Sequence, residues 1–438
     1  MAVRRFFAGR TPTNKGRRSH LPLGPDPAVG RPRHNAAVRR GLVLVALALV
    51  LSQQALAGDV PLSTRLASAL AVRGNTWATS AALAVDLQSD GVVFERNADL
   101  SLEPASNEKL PITFAAMREL GLAYRFKTDV LGRGTQEGTV WHGDLFLKGY
   151  GDPTLTSARL GRMARAIAEK GITRVDGRLF ADETWFDAKR AAPGWKLSYL
   201  LYECPPLSAL VVDRAIYDGH FALKPAIAAA GTFRRLLRSY GVTTGPVGMG
   251  KAPVSSTLLA SSESATLRNV LAVMDRDSDN FRAEMLLKEL GAESGAGGTT
   301  AAGAAVVRRS LATAGVSLTG VVIADGSGLS RLDRLTARAI AGILTTTWND
   351  ASLKTAFWSA LPAAGEQGTL AHRLNKTAAV GVVRAKTGTT NEASALSGYV
   401  RDRFAFVVVQ NGAPVSATAA RKAQDRFATA LARISASE

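Results

Sequence analysis

Ser106-Asn107-Glu108-Lys109, Ser278-Asp279-Asn280 and Lys386-Thr387-Gly388 each occur once in this chain, and in that order. Together they supply the hydroxyl, the two amines and the carboxamide of a serine acyl-transfer site. Singly, Ser106-Lys109 is better explained by a helix cap followed by a solvated lysine, and Lys386-Thr387-Gly388 by a strand end and turn. The ordered triple is what points to chemistry. Residues three apart on a helix share a face, so Ser106 at a helix start and Lys109 one turn on bring hydroxyl and amine within hydrogen-bond reach. Lys109 acts as a base only when neutral, which requires burial or a nearby cation to lower its proton affinity. Lys386 is placed to be that cation and to hold a substrate carboxylate. Ser278 can pass a proton between the lysines and the leaving group, and the Asn280 amide can bond a substrate carbonyl and Lys109. Backbone N–H groups of Ser106 and Thr389 are the candidate oxyanion donors. Gly388, with no side chain, lets substrate lie along the strand edge formed by Thr387, Gly388 and Thr389.

These residues need a scaffold that brings distant segments together. Residues 81–86 and 92–95, separated by a turn at 88–91, predict a hairpin just ahead of Ser106. Ile112, Phe114, Ala115, Met117 and Leu120 give the following segment an apolar helical face ending at Gly121. Pro111 would delete a helix N–H beyond the tolerated first positions if that helix began at Ser106. Residues 124–255 change texture to short β-like pieces broken by glycine and read as an inserted domain. Helical patterning returns from Ser261, with Phe281, Met285, Leu286 and Leu290 on one face after Ser278. Strands are expected at 380–385, with Lys386 at its end, at 395–400 and at 404–409. A last helix carrying Phe427, Leu431 and Ile434 would lie across them.

The chain has 438 residues, 46% apolar and 21% charged, with a net charge of +18. Half of that charge sits in residues 1–57, where ten Lys and Arg face Asp26 alone. There Arg39-Arg40, the apolar run 41–51 and Ala55-Leu56-Ala57 read as an export signal cleaved near Ala57, which places the mature protein in the periplasm, the cell envelope or the medium. The basic excess that remains suits a solvated face, with peripheral association with the envelope as a further expectation. Cys204 is the single cysteine, so no intrachain disulfide forms, and Glu203-Cys204-Pro205-Pro206 reads as a structural thiol.

Other chemistries find little support. Residues 245–251 imitate a phosphate loop, but Ala252 stands where a hydroxyl should hold magnesium. Residues 275–286 imitate a calcium loop, but Asn280 replaces the turn glycine and Leu286 the bidentate glutamate. The five histidines show no zinc-ligand spacing, and there is no G-x-S-x-G elbow. No metal, cofactor or nucleic-acid partner is expected. Residues 325–328, Asp-Gly-Ser-Gly, read most simply as a turn that could border the cleft.

The chain resembles the D-alanyl-D-alanine carboxypeptidase/endopeptidase family of low-molecular-mass class C penicillin-binding proteins. Beyond the triple, the likeness rests on GYGDPTL at 149–155, SDNFRAE at 278–284, DGSGLS at 325–330, LPAAG at 361–365 and ALSGY at 395–399. The resemblance implies an α+β fold: a penicillin-binding domain, its antiparallel sheet flanked by helices, split by a β-rich insertion. The layout would be a basic lead and signal at 1–57, the domain's first part at 58–123, the insertion at 124–255 and the second part at 256–438. It implies hydrolysis of D-Ala-D-Ala termini of peptidoglycan stem peptides, with D,D cross-links as a second target, and covalent binding of β-lactams. Ser106 would be the nucleophile, Lys109 its base, Ser278 and Asn280 the second element and Lys386 the third. Residues 149–155, Asp152 among them, would help form the substrate side of the cleft. The alternatives are a β-lactamase, which must also deacylate fast, and a catalytically silent wall-binding protein.

Overall fold

The computed structural model describes residues 60–434 except 75, 77, 78 and 218; the expected lead and export segment lie outside them. The main sheet has five strands in the order Val383–Thr389, Ala393–Val400, Phe404–Asn411, Ser80–Asp86, Val92–Arg96, every neighbour antiparallel. The early hairpin thus completes a sheet begun by the C-terminal strands, which is how residues some three hundred positions apart enter one core. Both faces are covered, so the central strands are buried along nearly their whole length. Alternation along Ser80–Asp86 decides what each side touches. Ala82 and Ala84 meet the terminal helix Ala417–Ile434 through Phe427 and Leu431, while Ala81, Leu83 and Val85 meet the helical layer opposite.

Three helices of that layer carry site residues or flank them: Lys109–Glu119, Leu267–Asp277 and Asn280–Glu293. The expected single apolar face on the first is an underestimate. Every residue from Lys109 to Met117 is buried, and the one hydroxyl in that run, on Thr113, donates to Asp275 Oδ2 at 2.7 Å. Lys386 lies inside its strand rather than at its end, because residues 386–389 keep pairing with Ser394–Ser397.

A second sheet holds Thr257–Glu263, Lys127–Glu137, Val140–Gly149, Leu179–Asp182 and Val247–Met249 in that order, with Arg174–Val175 also pairing to Val140–Gly149. Its first three strands are antiparallel, and the last two are added in parallel. Parallel addition needs crossovers, and the helices Ser157–Glu169 and Pro225–Ser239 provide them, so the segment read as β-like pieces is a mixed α/β layer. Leu160, Met163, Ala164 and Ile167 already carry the helical spacing of the first crossover, with Thr156 as its N-cap. The sheet closes past residue 255 with Thr257–Glu263. Residues 247–249 are one of its edge strands, which accounts for the phosphate-loop look-alike. Between the second-sheet strands Leu179–Asp182 and Val247–Met249 in sequence, residues 183–215 pack Phe186, Cys204 and Leu207 against Phe281 and Met285, with Cys204 fully buried.

Candidate active site

Ser106 sits on a turn that the chain holds under constraint. Ala105 adopts φ 47°, a 3₁₀ turn covers Ala105–Glu108, and the α-helix begins only at Lys109. Pro111 therefore falls in the first α-turn, where an N–H would have no intrahelical partner. Two glycines make this turn possible. A Cβ on Gly328 would lie 1.9 Å from Ala105 O, and one on Gly388 would lie 3.0 Å from both Pro104 O and Ser106 N. Asn107 Nδ2 donates to Lys386 O at 3.2 Å and ties the turn to the strand.

Lys109 Nζ lies 3.0 Å from Ser106 Oγ, 2.8 Å from Asn280 Oδ1 and 2.7 Å from Ser327 O. The last two can only accept. Asn280 Nδ2 donates to Glu203 O at 3.2 Å, which fixes the amide with its oxygen toward Lys109. A neutral amine has two N–H groups and one lone pair. With both N–H groups given to Asn280 and Ser327, the lone pair is left facing the Ser106 hydroxyl, the arrangement a general base needs.

Ser278 joins two helices at φ 59°, a left-handed conformation that costs a non-glycine residue about 1 kcal/mol. Met274 O accepts from the N–H groups of both Ser278 and Asp279, and Asp279 then caps the next helix by accepting from Arg282 N. This corner aims Ser278 Oγ at Lys386 Nζ, 2.8 Å away; the same amine nitrogen donates to Thr387 O at 2.9 Å.

Both lysines have no exposed surface. Burial lowers the proton affinity of Lys109 below its ordinary value, against the opposing pull of Asp325 and Glu284. Lys386 is pushed well down by burial first and then by Lys109, with Asp275 opposing. Burial raises Asp275 to about 6 and Glu284 to about 8.

The strand edge beside Ser106 offers the second oxyanion donor by parity. Ala385 N donates to Pro362 O, away from the sheet, and Thr390 N donates inward to Ala393 O. Alternation therefore turns the N–H of Thr389 outward, toward the side where Gly388 abuts Ser106 N. Ser106, Ser278, Asn280, Thr387, Gly388 and Thr389 all line one cleft of about 570 Å³, with Lys109 and Lys386 behind its wall.

Asp152 is not brought there. Its carboxylate is buried, accepts from Thr154 N and Thr154 Oγ1 and pairs with Arg159 at 2.7 Å. Neighbouring Gly151 packs on Phe186 and Glu289 rather than on the cleft. Lys386, expected to hold a substrate carboxylate, is enclosed by its contacts to Ser278 and Thr387. Sequence reasoning also gave too little weight to residues 325–330. Ser327 O is a partner of Lys109, and the turn is built on Asp325, whose oxygens accept from the N–H groups of Ser327, Gly328 and Ser330. Glu284, seen in sequence only as part of a helix, accepts from Gly326 N and Ser327 N.

A model of the D-Ala-D-Ala carboxypeptidase 3 (S13) family matches residues 62–222 and 220–434. A D-alanyl-D-alanine carboxypeptidase of Actinomadura sp. (strain R39) is 33% identical over 81% of this chain and 81% of that protein. Carboxypeptidase DacB of Mycolicibacterium smegmatis is 29% identical over 79% and 82%. Penicillin binding protein 4 of Haemophilus influenzae shares the fold with a TM-score of 0.75 at 22% identity, covering 85% of this chain and 98% of that one. The fold and site define a penicillin-recognising serine enzyme. The chain belongs to the D-Ala-D-Ala carboxypeptidase 3 (S13) family.

Proposed function

We propose that this protein is a serine D,D-peptidase that removes the terminal D-alanine of peptidoglycan stem peptides through an acyl-enzyme, and that β-lactams acylate the same serine. Ser106 Oγ attacks the carbonyl of the penultimate D-alanine as Lys109 Nζ takes its proton. The oxyanion is held by the N–H groups of Ser106 and Thr389. Ser278, bonded to Lys386, delivers a proton to the departing amine, and water then cleaves the Ser106 ester. The observation that carries this reading is Lys109: its two fixed acceptors leave a lone pair for Ser106 at 3.0 Å, in a site where burial favours the neutral amine.

D,D cross-links are a second substrate class in this proposal, since the cleft is open along the strand edge. Residues from 124 to the strand that ends at Glu263 act as an insertion between the two parts of the catalytic domain, and the segment through Ala57 directs export to the envelope, where the basic surface assists peripheral association. The test is incubation with labelled penicillin alongside a peptide ending in D-Ala-D-Ala. A long-lived adduct and released D-alanine, both abolished by Ser106→Ala, are expected. Rapid release of the label would instead mark a β-lactamase, and absence of any adduct a binding protein.

A further inference from the structure

The acyl-transfer reading leaves one chemical demand unmet: a substrate with a free C-terminus brings a carboxylate into the cleft, and Lys386, the cation expected to meet it, has no exposed surface. Resting on that reading, we infer that Arg421, on the terminal helix Ala417–Ile434, recognises the free α-carboxylate of the departing residue and sets the preference for unblocked peptide ends. Arg421 lines the same cleft as Ser106 and is exposed. Its Nη2 lies 3.4 Å from Thr389 Oγ1, the side chain of the residue whose N–H is the proposed oxyanion donor.

The reach fits the substrate. A terminal carboxylate lies within one residue of the scissile carbonyl, about 3.8 Å Cα to Cα. At 3.4 Å from Thr389 Oγ1, the guanidinium stands beside the residue whose N–H would hold that carbonyl. Thr387 and Thr389, two apart on the strand, turn their hydroxyls to one face opposite Lys386 and line the same wall. The neighbouring cation Arg373 is otherwise engaged: it gives Nε to Asp425 at 2.8 Å and Nη2 to Gln424 Oε1 at 2.6 Å, which takes up one of the two carboxylates lining the cleft, the other being the exposed Glu203. Among the described residues, no carboxylate forms an ion pair with Arg421. A planar, permanently charged fork exposed beside the leaving-group position is suited to a carboxylate and gains little from a carboxamide.

The experiment compares kcat/KM for an N-acylated peptide ending in D-Ala-D-Ala with that for the same peptide ending in a C-terminal carboxamide. The wild type should prefer the acid. In Arg421→Ala, the acid substrate should lose about tenfold or more, as expected for removing a charge-assisted hydrogen bond, while the carboxamide loses far less, so the preference collapses. Arg421→Lys should keep part of it, which also serves if the alanine variant folds poorly. An acid-to-carboxamide ratio unchanged in folded Arg421→Ala, or an equal loss on both peptides, overturns the assignment. A wild type that hydrolyses neither peptide and takes up no penicillin refutes the acyl-transfer reading instead.

Discussion

Glu284 never touches substrate, yet its loss should slow acylation. Its Oε1 accepts from Gly326 N at 3.0 Å and Ser327 N at 2.8 Å, and Ser327 O in turn accepts from Lys109 Nζ at 2.7 Å. In Glu284→Ala, Ser327 N retains Asp325 Oδ1, but Gly326 N is left buried without its acceptor, at a cost of about 1–3 kcal/mol before any cavity is counted. The turn relaxes, and a displacement of about 1 Å at the base lowers the rate by on the order of a hundredfold. Glu284→Gln keeps an acceptor and should lose far less, so the pair separates positioning from packing.

The glutamine variant carries a second, independent signature. Burial raises Glu284 from 4.5 to about 8 in the fold. The folded protein therefore holds this proton more tightly than the unfolded chain does. That stabilisation is full below pH 4.5 and is lost as pH rises through about 8. A span of roughly 3.5 pH units corresponds to at most about 5 kcal/mol, or on the order of 6 °C in Tm for a unit of this length. Glu284→Gln cannot ionise, so its Tm relative to wild type should climb by several degrees between pH 5 and pH 9. Stopped-flow acylation by a fluorescent penicillin and thermal melts at both pH values measure these effects. A folded Glu284→Ala that acylates at the wild-type rate, or a Tm difference independent of pH, refutes the reasoning.

Acylation should fall as pH drops through the Lys109 value, which burial holds below its ordinary 10.5, because only the neutral amine can take the Ser106 proton. A pH–rate profile measures this, and a rate unchanged down to about pH 4 would contradict it. Gly328→Ala should abolish penicillin labelling, since its Cβ would meet Ala105 O at 1.9 Å and φ is 81° there. Full labelling by that variant would show that the Ser106 turn tolerates displacement.

The parts of the site that were legible in sequence are those whose chemistry resides in side chains at short spacing. Ser106 and Lys109 are three apart and meet as the spacing requires, while Ser278 and Asn280, two apart, each reach one of the two lysines. The C-terminal strands were legible because alternating and fully apolar runs bounded by turns leave few other arrangements. Ser327 was not, because what it contributes is a backbone carbonyl, which any residue carries and only the fold can aim. Arg421 was hidden for a different reason: it reaches Thr389 only because the terminal helix crosses the sheet, a long-range packing outcome with no local pattern. Asp152 misled because sequence shows a carboxylate but not its partner, and Arg159 on the following helix consumes it. Residues 124–255 look like broken β pieces in sequence because glycines interrupt strands that in the fold run 11 and 10 residues, and the helical spacing at 157–169 is embedded among those pieces.

The buried acids explain how Lys109 stays available as a base while surrounded by carboxyl groups. An ionised neighbour would raise its proton affinity and cancel the effect of burial. The fold limits this by raising several of the buried acids, Glu284 to about 8 among them. Glu108, adjacent to Lys109 in sequence, is fully buried, neither of its oxygens meets a hydrogen-bond partner among the described residues, and burial followed by repulsion from Asp325 and Glu284 pushes it well up. Asp333 is raised in the same way, by burial and then by Asp325. Asp279 is instead lowered, despite its burial, because the hydrogen bond and charge of Arg214, together with Arg282, hold it ionised. Its negative charge is shared between two guanidinium groups and still pulls the proton affinity of Lys109 upward. Burial nonetheless remains the largest influence on Lys109, ahead of the opposing pull of Asp325, Glu284, Asp275 and Asp279, and the amine is held below its ordinary proton affinity even with acids around it.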